Sequence, residues 1–273
     1  RATLNNEEWM RLLDIRIGDW VYVEKGGEII PKIISVDLSR RPEGAVIPEF
    51  PAVCPDCGTP LVKSEEEARW FCTNSEGCPT QIKGRLVHFL SRKAMNVIAG
   101  DATIEQLFNL GLVRTPADFY SLSRNQLLML EGWKERSADR FLQSLAGSKK
   151  VTFDHVLFAL GIRYVGEQTA KEVARHFNDI DTLAAASEEE LLQVADVGEV
   201  IAKSIHSFFR DEKILADISR LKAAGLQFSL GNTAEKDSDA LSGKTIVISG
   251  TFSVSRDEMK ALIEANGGKN SSS

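Results

Sequence analysis

A short pattern recurs four times along the middle of the chain at a nearly constant spacing. Each copy has an apolar residue, then an aligned position, then a small or apolar residue four positions later. The aligned positions lie 34, 32 and 32 residues apart, and the four matches are Ala99-Gly100 with Ile104, Trp133-Lys134 with Ala138, Val165-Gly166 with Ala170, and Val197-Gly198 with Ala202. An ordinary helix turn with a glycine cap would explain one such copy. Four copies in register indicate a repeated unit, here two helices joined by a tight turn.

The turn of each repeat has a composition that suits phosphate binding. A glycine near the turn is expected to adopt a positive φ, and the next helix begins directly after it. The first amides of that helix have no intrahelical partner and lie at the positive end of the helix dipole. They can therefore hold a DNA backbone phosphate without reading any base. The residues that we predict to bind DNA are Gly100, Thr103, Arg163, Gly166, Glu167, Thr169, Lys171, Gly198 and Lys203.

The four copies do not match this pattern equally well. The third is the clearest, since Thr169 and Lys171 add a hydroxyl and a cation, and the fourth is nearly as good. The second has Lys134 at the glycine position. Because a positive φ is costly for a non-glycine residue, we expect this hairpin to be more structural than DNA-binding, with Gly132 as its flexible point. The first keeps Gly100 but carries an altered turn ahead of it.

All four cysteines of the chain lie within 25 residues. Cys54 and Cys57 form a CxxC pair on a segment rich in proline and glycine, and Cys72 and Cys78 follow after fourteen residues. Such a turn lets two thiolates converge on one ion, and four thiolates make a closed tetrahedral shell. We therefore predict one structural zinc ion per chain. The alternatives are two disulfides or four free thiols, and the absence of a secretion signal disfavours the disulfides.

Charge and hydropathy restrict the class of protein. The 273 residues carry a net charge of −6, and residues 81–225 have 19 basic against 19 acidic side chains. Nucleic-acid binding must therefore rest on local placement of cations and amides, because the average field does not attract DNA. No apolar run is long enough to span a membrane, and the first twenty residues do not read as a signal peptide. We expect a cytoplasmic protein with no membrane contact.

Several motifs, in order along the chain, resemble those of the NAD-dependent bacterial DNA ligases. They are RATLNN at residues 1–6, DIRIGD at 14–19, GEIIP at 27–31, the four cysteines, SRKAMN at 91–96, GIRYVG at 161–166 and LSGKTIVISGTF at 241–252. The resemblance covers essentially the whole chain. Asn5 departs from the family, which usually has histidine there, and the first hairpin departs as noted above.

The resemblance implies a multi-domain, mainly α architecture. We expect the C-terminal part of an OB-fold domain at residues 1–50, a four-cysteine zinc finger at 51–80, a helix-hairpin-helix domain with four hairpins at 81–230, and a linker with a truncated α/β BRCT domain at 231–273. The glycine pair at residues 26 and 27 predicts a β-hairpin in the first of these. In the last, residues 231–273 are expected to supply one strand and one helix (residues 256–266), and to stay mobile from about Asn232 unless another surface orders them.

The resemblance also implies a function. The family seals nicks in duplex DNA by joining a 5′ phosphate to a 3′ hydroxyl, using NAD and Mg²⁺, through a lysine in a KxDG motif. No KxDG occurs in these 273 residues. We therefore expect a monomer that binds nicked duplex DNA without sequence preference and does not ligate alone. The alternative is a non-catalytic DNA-repair scaffold, which would have no need of the OB-like stretch at residues 14–31.

Overall fold

The computed structural model describes residues 1–26, 30–63, 70–230, 240–250, 252, 254, 259, 260, 262, 263 and 266–271. The chain divides into two compact units, Arg1–Gly84 and Arg85–Ser273. Among the described residues, no helix is long and apolar enough to cross a membrane.

The first unit begins with a short helix and a β-hairpin. Helix α1, Glu7–Leu12, starts at Asn6, whose side chain accepts a hydrogen bond from the amide of Trp9. Strands β1, Val21–Gly26, and β2, Ile30–Val36, pair antiparallel and confirm the predicted hairpin. The predicted turn glycine Gly27 lies outside the described residues. A 3-10 helix, Leu38–Arg40, follows β2.

An ion-pair network holds the loops around this hairpin. The guanidinium of Arg41 donates to both carboxylate oxygens of Asp19 at 2.9 Å and to Asp14 at 2.7 Å. These bonds hold the pKa of both carboxyl groups below its ordinary value. Because the Asp19 side chain is almost fully buried, loss of Arg41 would leave an uncompensated charge in the loop.

The rest of the first unit is a small β-hairpin followed by the start of a helix. Strands β3, Leu61–Lys63, and β4, Trp70–Cys72, pair antiparallel. This hairpin contacts α1, since the indole of Trp70 donates to the carboxylate of Glu7 at 2.6 Å and Lys63 bonds Glu8 at 2.7 Å. Helix α2, Pro79–Leu90, then begins. Its apolar stripe of Ile82, Leu86, Phe89 and Leu90 is buried.

The second unit consists mainly of short helices. In order along the chain, these helices are α3 (Asp101–Asn109), α4 (Arg124–Leu127), α5 (Glu135–Ser148), α6 (Phe153–Ala159), α7 (Glu167–Phe177), α8 (Ile180–Ala185), α9 (Glu188–Leu191), α10 (Glu199–Phe208) and α11 (Glu212–Ala224). A 3-10 helix lies at Pro116–Ser121. The second helices of the four repeats are α3, α5, α7 and α10. The predicted helical hairpins are therefore present.

The small residues of the repeat explain why the hairpins pack closely. Ala138, Ala170 and Ala202 are fully buried, and Ile104 takes the same place in the first repeat. A small side chain at this position lets the second helix lie close to the helix before its turn. Helix α11 is followed by its C-cap Gly225, which has a left-handed φ of 94°.

The left-handed residue of each turn lies elsewhere than we predicted. Gly100, Gly166 and Gly198 are helix N-caps with φ of −93°, −81° and −92°, so the expectation of a positive φ at these glycines is wrong. In the last three repeats the positive φ falls two residues earlier, at Gly132, Tyr164 and Asp196. Lys134 has an ordinary extended φ of −131°. Gly132 therefore occupies the left-handed position that these repeats share. Lys134 is not strained, so Gly132 does not replace a flexible residue at position 134.

The end of the chain also differs from expectation. Strand β5, Thr245–Val247, pairs parallel with β6, Lys269–Ser271, so the expectation of a single strand is wrong. The expected helix is described at residues 259, 260, 262 and 263, where Ile263 is buried. The expected mobile linker falls largely on residues 231–239, which lie outside the described residues.

The position of the left-handed residue leads to a stability prediction. We expect Gly132→Ala to lower the free energy of unfolding by about 1–2 kcal/mol, because a Cβ at a φ of 77° is strained. The exposed helical Gly147 is the matched control, since Gly147→Ala should raise the same free energy by about 0.5–1 kcal/mol. Urea unfolding followed by far-ultraviolet circular dichroism measures both. Wild-type stability in Gly132→Ala would contradict this assignment of the turn.

Candidate metal centre and nucleic-acid interface

The four cysteine sulfurs lie together in the first unit. All four Sγ atoms are within 4.8 Å of one another, with 4.0 Å between Cys54 and Cys78 and 3.5 Å between Cys57 and Cys72. Four sulfurs bound tetrahedrally to zinc at about 2.3 Å are about 3.8 Å apart. The cysteines form no disulfide. The cluster therefore has the size of a zinc shell built from four thiolates.

The first two cysteines are held by a tight turn. The amide of Gly58 donates to the carbonyl of Cys54 at 2.9 Å, and the amide of Cys54 donates to the carbonyl of Thr59 at 2.8 Å. Gly58 has a φ of 71°, which favours glycine. The turn therefore brings Cys54 and Cys57 to the same side of the backbone.

The other two cysteines come from two different elements. Cys72 is the last residue of β4, and Cys78 directly precedes α2. Between them, the side chain of Asn74 accepts a hydrogen bond from the amide of Gly77 at 2.8 Å. A Cβ at Gly77 would lie 2.7 Å from that Asn74 oxygen. A side chain at position 77 would therefore displace the Asn74 side chain from this hydrogen bond.

The thiols differ in how readily they ionise. Hydrogen bonds with the hydroxyl and amide of Thr59 lower the pKa of Cys57, whereas burial raises the pKa of Cys72. Zinc binds thiolates, so the thiols release their protons when the ion binds. With four thiolates in the shell no position is left for a substrate, and the site suits a structural ion.

The second helix of every repeat begins without a side-chain cap. No side chain of Gly100, Lys134, Gly166 or Gly198 accepts a hydrogen bond from the helix that follows it. Helix α6 shares this feature. Five other described helices, α1, α4, α8, α9 and α11, start at Asn, Ser or Asp residues whose side chains do accept such bonds. The first amides of α3, α5, α7 and α10 are therefore open to an external acceptor.

The glycine N-caps have empty space above them. A Cβ built at Gly100, Gly166 or Gly198 would meet no atom within 4 Å. Their backbone angles are ordinary for any residue, so neither strain nor packing inside the chain demands glycine. Glycine is a favoured N-cap residue, and its missing side chain also allows close approach of a ligand to the helix amides.

The residue five positions after the N-cap separates the last two hairpins from the first two. Five residues after the N-cap stand Lys171 and Lys203 in the third and fourth repeats. The same position holds Glu105 in the first repeat and Asp139 in the second, where Asp139 bonds the Arg124 guanidinium at 2.7 Å. This position therefore holds a cation in α7 and α10 and a carboxylate in α3 and α5, whereas the first residue is acidic in all four helices.

The predicted DNA-binding residues lie at or near the surface of the second unit. Those exposed are Gly100, Arg163, Gly166, Glu167, Gly198 and Lys203, and those half-buried are Thr103, Thr169 and Lys171. The hydroxyl of Ser204, on α10, donates to the carbonyl of Arg163 at 2.7 Å. This bond joins the turn of the third hairpin to the second helix of the fourth.

One residue near the interface escaped the sequence prediction. Lys93 lies in the loop after α2, and its ammonium bonds the carboxylate of Glu167 at 3.0 Å, at the first position of α7. A ring nitrogen of His155 lies 2.8 Å from the Lys93 carbonyl. Residues 91–96 belong to a motif of the family, but the sequence alone does not place Lys93 beside α7. That placement comes from its contact with Glu167, which is 74 residues later in the sequence.

The metal centre gives a direct prediction. We expect about one zinc ion per chain, and we expect Cys72→Ser to retain less than about half an equivalent and to melt at a lower temperature, because binding of the ion is part of the folding free energy. Asp56→Ser is the matched control, since the exposed Asp56 lies in the same turn and supplies no sulfur. Metal analysis and thermal unfolding measure both. Unchanged zinc content in Cys72→Ser would remove that cysteine from the shell.

Family models match four segments of the chain in the expected order. They are the NAD-dependent DNA ligase OB-fold domain at residues 1–45, the NAD-dependent DNA ligase C4 zinc finger domain at 53–79, the helix-hairpin-helix motif at 155–218 and the BRCT domain at 236–273. The helix-hairpin-helix match includes the third and fourth hairpins. These are the two that carry Lys171 and Lys203.

Curated relatives match the chain over its whole length. A DNA ligase of Parabacteroides distasonis is 51% identical over 281 residues, covering 100% of this chain and 42% of the relative. DNA ligases of Porphyromonas gingivalis and Flavobacterium johnsoniae are each 47% identical, covering 98% and 100% of this chain and 40% and 41% of those proteins. The chain thus spans about two fifths of the length of these relatives. With its ordered OB, zinc finger, helix-hairpin-helix and BRCT segments, it belongs to the NAD-dependent DNA ligase family and corresponds to the C-terminal region of such an enzyme.

Proposed function

We propose that this chain is the DNA-gripping part of an enzyme that seals nicks in duplex DNA, joining 5′ phosphate and 3′ hydroxyl ends during replication and repair. The observation that carries the proposal is the pair of uncapped, glycine-led helices α7 and α10, each with a lysine five residues after its N-cap. The proposed ligand is a DNA backbone phosphate at each helix start. The site residues remain Gly100, Thr103, Arg163, Gly166, Glu167, Thr169, Lys171, Gly198 and Lys203.

The grip at α7 and α10 is electrostatic and does not depend on base sequence. The first amides of each helix donate to phosphate oxygens, and the absent Cβ at Gly166 or Gly198 lets the phosphate approach them. The ammonium groups of Lys171 and Lys203 add charge on the same helices. The first hairpin contributes a weaker contact through Gly100 and Thr103, because Glu105 repels the phosphate.

The zinc ion has a structural part in this proposal. Cys54, Cys57, Cys72 and Cys78 would hold it, and the folded module would in turn present the β3–β4 hairpin to α1 through the bond from Trp70 to Glu7. When bound, the ion supplies the cross-link that this short segment needs in place of a larger apolar core.

The joining chemistry requires residues outside this chain. The family's adenylated lysine lies in a KxDG motif, and none occurs in the 273 residues. We propose that NAD and Mg²⁺ act elsewhere in the enzyme and that this chain alone does not ligate. We further propose a cytoplasmic monomer that binds nicked duplex DNA, with domain limits at residues 1–50, 51–80, 81–230 and 231–273.

The alternative of a non-catalytic repair scaffold is not favoured. Zinc and helical hairpins would serve a scaffold equally well, but a ligase OB-fold segment would not, and residues 1–45 match that family model. The DNA ligase relatives extend the match through all four segments.

The glycine N-caps provide the test of the proposed grip. Gly166→Ala should weaken binding to a nicked duplex by about tenfold, because its Cβ occupies the space where the phosphate approaches. The free energy of unfolding should fall by less than about 1 kcal/mol, since the backbone angles suit alanine and only the capping preference changes. Gly147→Ala on α5 is the control and should bind DNA as the wild type does. Wild-type affinity in both Gly166→Ala and Gly198→Ala would refute the grip.

The lysines provide a second, independent test. Lys171→Ala should reduce the slope of log K against log salt concentration by roughly one, the loss of one phosphate contact. Lys150→Ala removes the same charge from the exposed turn after α5 and should leave the slope near its wild-type value. Fluorescence anisotropy at several salt concentrations measures both. An unchanged slope in Lys171→Ala would remove that residue from the interface.

A further inference from the structure

Tyr164 is placed in a backbone conformation that an aromatic residue rarely adopts. Its φ is 65°, in the left-handed region, where a bulky side chain is strained. The equivalent residue in the second hairpin is Gly132, which takes the same region without strain. Glycine would therefore serve the turn of the third hairpin at least as well. A left-handed aromatic residue beside a proposed binding site points to a role in binding.

The ring of Tyr164 lies at the surface, next to the helix start that we propose to hold phosphate. The residue is 46% exposed, and it precedes the N-cap Gly166 by two positions. The guanidinium of Arg163 stacks over the ring at 4.8 Å from its centre. The bond from Ser204 to the Arg163 carbonyl fixes the backbone beneath the pair. An aromatic ring with a cation stacked on it thus lies at the surface close to Gly166.

We infer that Tyr164 is a further DNA-contacting residue, whose ring packs against the deoxyribose next to the phosphate held by α7. A sugar adjoins every backbone phosphate, and its C–H faces suit an aromatic ring whatever the base. The contact would add affinity without sequence preference. The binding energy of this contact would offset the backbone strain at Tyr164 in the complex. Strained residues of this kind occur at functional sites.

This inference rests on the proposed function, and three variants test it together. Tyr164→Gly should bind a nicked duplex about fivefold more weakly while its melting temperature is not lowered, because strain is relieved as the contact is lost. Tyr164→Phe keeps the ring and should bind within about twofold of wild type. Asp196→Gly makes the same backbone change in the fourth hairpin, where no ring is lost, and should bind no more weakly than wild type.

The salt dependence separates the ring from its neighbouring cation. Tyr164 carries no charge, so Tyr164→Gly should keep the wild-type salt slope within about half a unit. A slope reduced by about one would show that the ring only positions the Arg163 guanidinium, and would overturn the sugar contact. Wild-type affinity in Tyr164→Gly, with weakened binding in Gly166→Ala, would overturn this inference while leaving the proposed function intact.

Discussion

The uncapped start of the second helix in each hairpin is the feature on which the proposed function depends. Five described helices begin after an Asn, Ser or Asp residue whose side chain accepts a hydrogen bond from a backbone amide of the first turn. Helices α7 and α10 begin after glycines, which have no side chain to accept such a bond. Without a side-chain cap these helix starts are less stable, but their first amides stay free to donate to a phosphate. Buried alanines four residues later hold each helix against the preceding one, so the donors are presented on a rigid unit.

In the proposal, the residue five positions after each N-cap distinguishes the four similar turns. The chain has a net charge of −6, so DNA binding at a turn depends on amide donors and cations close to it. Lys171 and Lys203 supply such cations in the third and fourth hairpins, whereas the equivalent residue of the second is Asp139, which bonds Arg124. The proposal thus uses the same helical hairpin for packing in one repeat and for binding in another.

Local patterns predicted most of this structure, and long-range contacts account for what they missed. The recurring pattern located the helical hairpins, and cysteine spacing located the metal cluster, because both signals are regular spacings in the sequence. The left-handed residue was assigned to Gly166 instead of Tyr164, since composition favours glycine for that conformation. Strand β6 was missed because a polar segment of three residues carries no strand pattern, and it forms only by pairing with β5.

Amide hydrogen exchange at the helix starts tests the central claim most directly. In the presence of a nicked duplex, the amides of residues 167–169 and 199–201 should exchange more slowly than in the free protein, because they donate to phosphate. The amides of residues 135–137, at the start of α5 behind Lys134, should exchange at the same rate in both states. Equal slowing at all three helix starts, or no slowing at α7 and α10, would contradict the account.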